Sequence, residues 1–222
     1  MQPAARIQTF KPRRGRYSTQ MLQGLREGSA RVTMDALTAP AVLFDGAPVI
    51  LEIGFGLGEA TLAQAQAHPD HGILAIDVHT PGVGRLLAEL DAQGIANVRV
   101  VEGDALELLH ERLPDTSLAG IRVFFPDPWP KTRHHKRRIL VPSNLAMMAR
   151  VLRPGGFLHF ATDWQQYADE ARATIAADAR FRLLAPAAQP AIASAATRPR
   201  TKFEARGIAA GRSITDLVAL RT

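Results

Sequence analysis

The amino-acid sequence predicts an α/β protein with a doubly wound, mostly parallel sheet and an antiparallel strand at its C-terminal end. Two observations predict it: short apolar segments rich in β-branched residues alternate with segments of helical composition, and a glycine-rich turn follows the first of them. The 222 residues, of which 46% are hydrophobic and 22% charged, suffice for one core without metals or disulfides.

The first half of the chain predicts three strand–helix units in succession, because β-branched runs are each followed by a turn and a helical stretch. The predicted strands are 48–53, 72–77 and 97–101, and the predicted helices are 59–67, 83–93 and 104–112. Gly94 stands at the C-cap of the second helix, and Asp104 is the expected N-cap of the third.

The second half continues the alternation and then departs from it. In order, the prediction is a strand at 117–125, a loop at 126–138, a helix at 139–152, a turn at 153–156, a strand at 157–162, a helix at 164–178, a short strand at 181–185, a loop at 187–199 and a last strand at 213–220. Pro142 near the start of its helix and the Pro-Gly-Gly turn support these boundaries.

The N-terminal residues differ from the rest in composition. They are basic and contain Pro12 and Gly15, which predicts a flexible arm over 1–35 and a single domain over 36–222. The chain has no cysteine, which excludes disulfides, thiolate metal sites and cysteine nucleophiles. It also has no apolar run of the roughly 20 residues that span a bilayer, so we expect a cytoplasmic protein that does not contact a membrane.

The charge is unevenly placed along the chain. Segments 6–31, 131–138 and 198–212 hold 17 of the 27 lysines and arginines but only two of the 21 acids. An acidic body with three basic segments indicates a polyanionic partner, provided that the fold brings the segments to one face. Solvated charge on loops is the alternative for any one of them.

The strongest local signal is the turn after the first strand, Glu52-Ile-Gly54-Phe-Gly56-Leu-Gly58-Glu59. Its glycines let the backbone turn sharply and approach a ligand closely. A dinucleotide-binding turn has a glycine where Glu59 stands, and an acid there would face a pyrophosphate. A glycine turn preceded by an acid suits S-adenosylmethionine, which has no phosphate and carries an ammonium and a sulfonium. Taken alone, the turn is also compatible with a structural role.

Carboxylates follow several of the predicted strands. Asp77 ends the second strand 23 residues after Gly54, where an acid accepts hydrogen bonds from a ribose diol, and Asp104 follows the third strand. Because ligands of open α/β sheets bind outside the carboxyl ends of the strands, Glu52, Asp77, Asp104 and Asp127 are expected to converge on one crevice. Helix capping by Asp104 and a solvated strand end at Asp77 are the structural alternatives.

The fourth strand leads into Phe124-Phe-Pro-Asp127-Pro-Trp129-Pro-Lys131. Prolines on both sides hold Asp127 in a stiff, extended backbone, and Trp129 offers an aromatic face for a nucleobase. A proline-rich structural turn would explain the prolines but not the aspartate, so we interpret Asp127 as part of a reaction centre.

With these motifs the chain resembles the bacterial TrmB-type tRNA (guanine-N7)-methyltransferases, which have the Rossmann-like class I methyltransferase fold. The motifs that carry the resemblance are Leu51-Glu-Ile-Gly-Phe-Gly-Leu-Gly58, Ile76-Asp-Val-His-Thr-Pro-Gly-Val-Gly84, Phe124-Phe-Pro-Asp-Pro-Trp-Pro-Lys131, Arg133-His-His-Lys-Arg-Arg138, Ala161-Thr-Asp-Trp164 and Arg198-Pro-Arg-Thr-Lys-Phe-Glu204. They run in order over nearly the whole chain from about Phe10.

The resemblance implies methyl transfer from S-adenosylmethionine to N7 of a guanine in the variable loop of tRNA. It implies cofactor contacts from Glu52, Gly54, Gly56, Asp77, Asp104 and Asp127, with Asp127 also at the catalytic position. It implies substrate contacts from Lys131, Asp163, Thr201, Lys202, Phe203 and Glu204, and RNA contacts from Arg133, His134, His135, Lys136, Arg137 and Arg138.

The sequence departs from the family's usual pattern at three positions. Asp77 stands where glutamate is usual, so its carboxylate reaches one methylene less far toward a ribose. Arg212 stands where histidine is common, and Thr215 where an aromatic residue is common, which leaves packing and RNA affinity near the C-terminus open.

Alternative interpretations remain from the residues themselves. An exocyclic-amine methyltransferase would share the cofactor crevice but would need a general base, whereas N7 has no proton to lose. A non-catalytic RNA-binding module would keep only the basic segments. Asp163 is either a substrate contact or the N-cap of the following helix. His134 and His135 stand among cations that would repel a metal, so no metal is expected. The oligomeric state is left open.

Overall fold

In the computed structural model the seven strands of the described residues form one mixed sheet, and helices pack on both of its faces. The structure describes residues 8–10, 16–34, 37, 39–185 and 202–222, and of residues 202, 203 and 206 it describes the backbone alone. The strand order is β3-β2-β1-β4-β5-β7-β6. The strands are β1 (Val49–Ile53), β2 (Gly72–Asp77), β3 (Val98–Glu102), β4 (Leu118–Phe124), β5 (Leu152–Thr162), β6 (Phe181–Leu183) and β7 (Thr215–Arg221).

The first five strands are parallel, and β7 runs antiparallel to both β5 and β6. This confirms the predicted doubly wound sheet with its antiparallel C-terminal strand. The helices are α1 (Thr19–Glu27), α2 (Glu59–Ala67), α3 (Thr80–Gln93), α4 (Ala105–Glu107), α5 (Pro142–Val151), α6 (Gln165–Ala176) and α7 (Lys202–Ala209).

Both faces of the sheet are covered by helices. Ile73 and Ala75 of β2 pack in a cluster with α2 and α3, whereas Leu74 and Ile76 belong to a larger cluster with α5 and α6. Successive strand residues point to opposite faces, so the helices form two outer layers. This arrangement aligns the carboxyl ends of β1 to β5 along one open edge.

The structure differs from the predicted flexible arm over residues 16–34. Helix α1 begins at an N-cap in which the Ser18 hydroxyl accepts from the Met21 N–H at 3.2 Å. A Cβ on Gly24 would lie 2.1 Å from the carbonyl oxygen of Gly84, so only glycine lets α1 approach α3 this closely. Residues 30–32 then bond to Val100 at the edge of β3.

Other differences concern the ends of elements. The helix expected at 104–112 is one turn of α-helix, α4, followed by a π turn over Leu108–Arg112. Helix α7 was not predicted, and the loop predicted at 187–199 lies outside the described residues. Within the part of the chain that the structure describes, no helix is long and apolar enough to cross a membrane.

Candidate functional site

A cavity of about 240 Å³ opens at the carboxyl edge of the parallel strands. It is bordered by residues that follow β1, β2, β3 and β4, and by Thr9 and Phe10 from the N-terminal segment. Glu52, Asp77, Asp104 and Asp127 all line it, as do Gly54 and Gly56. The structure therefore brings the predicted acids together with the glycine turn.

The glycine turn leaves room beside it for a ligand. Gly54 and Gly56 have φ values of 77° and 62°, which favour glycine, and a Cβ on either would meet no atom within 4 Å. Asp77, at the end of β2, holds the turn in place, because its carboxylate accepts from the Gly56 N–H at 2.7 Å. The same carboxylate accepts from the His79 N–H at 2.9 Å, which fixes its own position. Asp77 therefore fixes the shape of the turn as well as lining the cavity.

Glu52 lies at the inner wall of the cavity. Its side chain is 2% exposed, and its neighbour in register on β4 is Arg122, which is also buried. Arg122 donates to the Gln64 side chain of α2 at 2.7 Å. Burial raises the pKa of Glu52; the Arg122 guanidinium and the Thr61 hydroxyl oppose this rise, and the charge of Asp77 adds to it. Burial likewise lowers the pKa of Arg122 to about 10, against the effect of Glu52.

Asp104 both caps a helix and lies at the cavity wall. One carboxylate oxygen accepts from the Leu106 N–H at 2.9 Å and so caps α4. The residue also lines the cavity. Capping holds the carboxylate in place at the carboxyl end of β3.

Asp127 lies in a loop with an unusual backbone, residues 125–130, called the Asp127 loop below. Phe125 and Trp129 on either side have φ values of 50° and 47°, a left-handed conformation that is strained for residues other than glycine. Trp129 is 3% exposed, and its ring lies under the Arg137 guanidinium at 3.8 Å. The predicted use of Trp129 as a stacking surface for a base is therefore not what the structure shows.

The N-terminal segment 8–10 runs past the mouth of the cavity. The Trp129 indole donates to the carbonyl oxygen of Thr9 at 3.0 Å, and Arg137 donates to that of Gln8 at 2.9 Å. Thr9 and Phe10 thereby form one wall of the cavity. No sequence pattern predicts this wall, because both hydrogen bonds go to main-chain carbonyl oxygens.

The basic run after the loop divides into exposed and inward-facing residues. Lys131, Arg133 and Lys136 are exposed, and they lie on or beside a 3₁₀ helix, Thr132–Arg137. His134 and His135 are half-buried, and His135 contacts Glu170 at 3.2 Å.

Arg138 faces inward, unlike the exposed residues of the run, for which RNA contact is predicted. It is 1% exposed, and its guanidinium bonds to the Pro128 carbonyl and to Glu170 instead of facing solvent. Arg137 is also partly withdrawn, because it stacks on Trp129.

Asp163, one of the residues predicted to contact the substrate, lies just after β5. Asp163 forms an ion pair with Arg212 at 3.0 Å, and Gly207 of α7 lies against it. The alternative role of Asp163 as a helix N-cap is wrong, because α6 begins at Gln165, its N-cap is Trp164, and no side chain caps it. Thr201 lies outside the described residues.

For Lys202 and Phe203 the structure gives only their position at the start of α7, and Glu204 follows them half-buried. Of the three basic segments, the first contributes the neutral Thr9 to the cavity wall, and the third contributes Arg212, which pairs with Asp163. The structure brings no group of three or more His, Asp or Glu side chains into a metal-binding arrangement among the residues it describes.

The cavity fits S-adenosylmethionine by the chemistry of its walls. Oε2 of Glu52 is buried and has no hydrogen-bond partner among the described side chains and backbone, so an acceptor is available for an ammonium or hydroxyl donor. The open space beside Gly54 and Gly56 would take the adjoining part of the cofactor.

A doubly wound sheet with a glycine turn and an acidic rim at its carboxyl edge is the arrangement expected of a methyltransferase that uses S-adenosylmethionine. Accordingly, residues 46–217 match the family described as "Putative methyltransferase". An enzyme of Nitrosococcus oceani named tRNA (guanine-N(7)-)-methyltransferase is 45% identical over 95% of this chain and 89% of its own length. A Thiobacillus denitrificans enzyme of the same name is 42% identical over 97% of this chain and 96% of its own. The chain belongs to this tRNA (guanine-N(7)-)-methyltransferase family.

Solved structures support the fold. The 16S rRNA methyltransferase KamB superimposes with a TM-score of 0.55 at 20% identity, over 82% of this chain and 92% of its own. An antibiotic-related methyltransferase gives a TM-score of 0.54 at 17% identity, over 86% and 95% of the two chains. At these identities the likeness concerns the fold alone.

Proposed function

We propose that this protein transfers the methyl group of S-adenosylmethionine to N7 of a guanine in tRNA, forming N7-methylguanosine. The convergence of Glu52, Asp77, Asp104 and Asp127 on one cavity is the observation that carries the proposal. Relatives named for this reaction, at 42–45% identity over nearly the whole chain, support it. We further propose that the enzyme works in the cytoplasm.

The cavity walls suggest how the cofactor is held. Glu52, with its buried and unpartnered oxygen, would accept from the ammonium of the methionine part. Asp77 and Asp104, at the ends of β2 and β3, would accept from the ribose and adenine parts. Gly54 and Gly56 have no side chain beyond hydrogen, so the cofactor would approach the backbone closely at this turn.

The chemistry asks for positioning rather than a strong base. S-adenosylmethionine supplies a methyl group on a positive sulfur; N7 donates its lone pair to that carbon, and the electrons of the broken C–S bond stay on sulfur. N7 has no proton to lose, so the positive charge moves onto the purine. Asp127, at the cavity wall, would orient the guanine and stabilise this developing charge.

The RNA would be held by the exposed part of the basic segments. Lys131, Arg133 and Lys136 follow the Asp127 loop directly, so contacts to phosphates lie next to the chemistry. Asp163 and Glu204 are the acceptors proposed for guanine N–H groups, with Thr201, Lys202 and Phe203 beside them in sequence. Side chains cannot read the deep groove of A-form RNA, so the guanine must be presented from a loop.

The test uses unmodified tRNA, methyl-labelled S-adenosylmethionine and nucleoside analysis of the product. The wild-type protein is expected to yield 7-methylguanosine; a guanosine methylated on its exocyclic amine would overturn the proposal. Asp127→Ala is expected to lower the single-turnover rate about 10²- to 10³-fold while cofactor affinity changes little. Asp169→Asn, an exposed carboxylate on α6, serves as the matched control. An unchanged single-turnover rate for Asp127→Ala would refute its role.

A further inference from the structure

Arg138 ends the basic run, yet its side chain turns into the protein. Nε donates to the Pro128 carbonyl oxygen at 2.8 Å, next to Asp127 in the chain, and Nη1 bonds to Glu170 of α6. We propose that Arg138 is a positioning residue for Asp127: with Glu170 it clamps the Asp127 loop to α6, and it does not contact RNA. The proposal rests on the proposed function, because it takes Asp127 as the catalytic residue.

The loop needs an outside support because it can form few bonds of its own. Positions 126, 128 and 130 are prolines, which have no backbone N–H to donate. Phe125 and Trp129 are both in the left-handed region, and such strained residues persist only where surrounding contacts hold them. A donor from outside the loop, Arg138, supplies one of these contacts at Pro128.

Helix α6 provides the fixed end of the clamp. Tyr167, fully buried on this helix, lies 4.7 Å below the Arg138 guanidinium, and its hydroxyl accepts from the Leu140 N–H at 3.1 Å. Glu170, one turn further on, balances the buried charge and also meets His135. A guanidinium joins a carbonyl and a carboxylate with separate N–H groups in a fixed plane, which an ammonium does not.

The first experiment replaces Arg138 by lysine, which keeps the charge and removes the Nε–H donor. We expect the single-turnover rate at saturating tRNA and cofactor to fall about 10- to 100-fold, since small misplacements of catalytic groups have effects of this size. Affinity for S-adenosylmethionine should stay within about threefold, because the substitution leaves Glu52, Asp77 and Asp104 in place. The matched control is Arg172→Lys, which changes an exposed arginine on α6, the helix that carries Glu170.

The second experiment separates positioning from RNA contact by the sign of the effect. If this cluster bound phosphates, Glu170→Ala would remove a repelling charge and strengthen tRNA binding. A clamp instead predicts a slower chemical step with tRNA affinity unchanged. Glu170→Gln, which keeps an oxygen for Nη1, is expected to retain more of the rate than Glu170→Ala.

Thermal unfolding of each variant checks that it is folded. If Arg138→Lys does not fold, the single-turnover rates of Glu170→Ala and Glu170→Gln test the proposal. The proposal is overturned if the folded variants keep the wild-type single-turnover rate, or if Arg138→Gln lowers the salt dependence of tRNA binding as an RNA contact would. Each variant's rate is divided by the wild-type rate for the same product, so the comparison does not depend on which nucleoside is methylated. A wild-type protein that makes another product thus contradicts the proposed function without deciding the clamp.

Discussion

Replacing Arg122 by methionine removes the buried cation that faces Glu52 across β1 and β4. Both residues are at most 2% exposed, so water cannot replace the lost charge. Leaving the buried Glu52 carboxylate without the nearby buried cation costs about 3–5 kcal/mol in free energy of unfolding. For a chain of this length that corresponds to a fall of roughly 6–20 °C in the melting temperature.

The loss should depend on pH because Glu52 can take up a proton. Its pKa is already raised by burial, and removing Arg122 raises it further. Below the ordinary carboxyl pKa of 4.5 the group is neutral in both the folded and the unfolded chain, and the variant suffers little. As the pH rises from there through the raised pKa, the unfolded chain ionises freely while the folded protein must keep the proton or hold an unbalanced charge, so stability falls. Protonation of Glu52 should also weaken cofactor binding, and the weakening should begin at a higher pH in Arg122→Met than in the wild type.

Chemical denaturation and cofactor titration from acid to neutral pH measure both effects. The double variant Glu52→Gln, Arg122→Met removes both charges and should regain most of the lost stability, while still binding the cofactor poorly. Arg182→Met, an exposed arginine on β6, should change the free energy of unfolding by no more than about 0.5 kcal/mol. If the two single substitutions simply add in the double variant, Glu52 and Arg122 are not coupled and the reasoning fails.

Two further predictions concern the N-terminal helix and the RNA surface. Gly24→Ala should destabilise the protein by about 1–3 kcal/mol in urea, because the added Cβ would lie 2.1 Å from the Gly84 carbonyl oxygen; a gain of about 1 kcal/mol, as helix propensity alone predicts, would contradict the close packing of α1 on α3. Replacing exposed Arg133 and Lys136 by glutamine should lower the slope of log affinity for tRNA against log salt by about 0.7–0.9 per charge, and an unchanged slope would show that neither contacts phosphate.

The parts of the fold that depend on local pattern were predictable. The bounds of β2 and α2 agree with the structure, because alternating composition and the glycine turn mark them directly. The meeting of Glu52, Asp77 and Asp104 at one cavity also follows from the sequence, since parallel strands end at the same edge.

Contacts between distant parts of the chain were not predictable in this way. Helix α1 carries a buried Gly24 at its contact with α3, and glycine in a sequence usually weakens a helix assignment. The sequence of the run 131–138 does not distinguish its buried cation from its exposed ones. Arg138 faces inward because of Tyr167 and Glu170, which lie about 30 residues away in the chain. A charge run by itself does not say which of its members face solvent.

The N-terminal segment 8–10 is fastened to Trp129 and Arg137 through the carbonyl oxygens of Gln8 and Thr9. A main-chain oxygen is offered by every amino acid, so substitutions at these two positions would keep the attachment while erasing any recognisable signature of it. This wall of the cavity can therefore keep its structure when the residues at these positions differ. Removing the segment, rather than exchanging its side chains, is the change that would open the cavity.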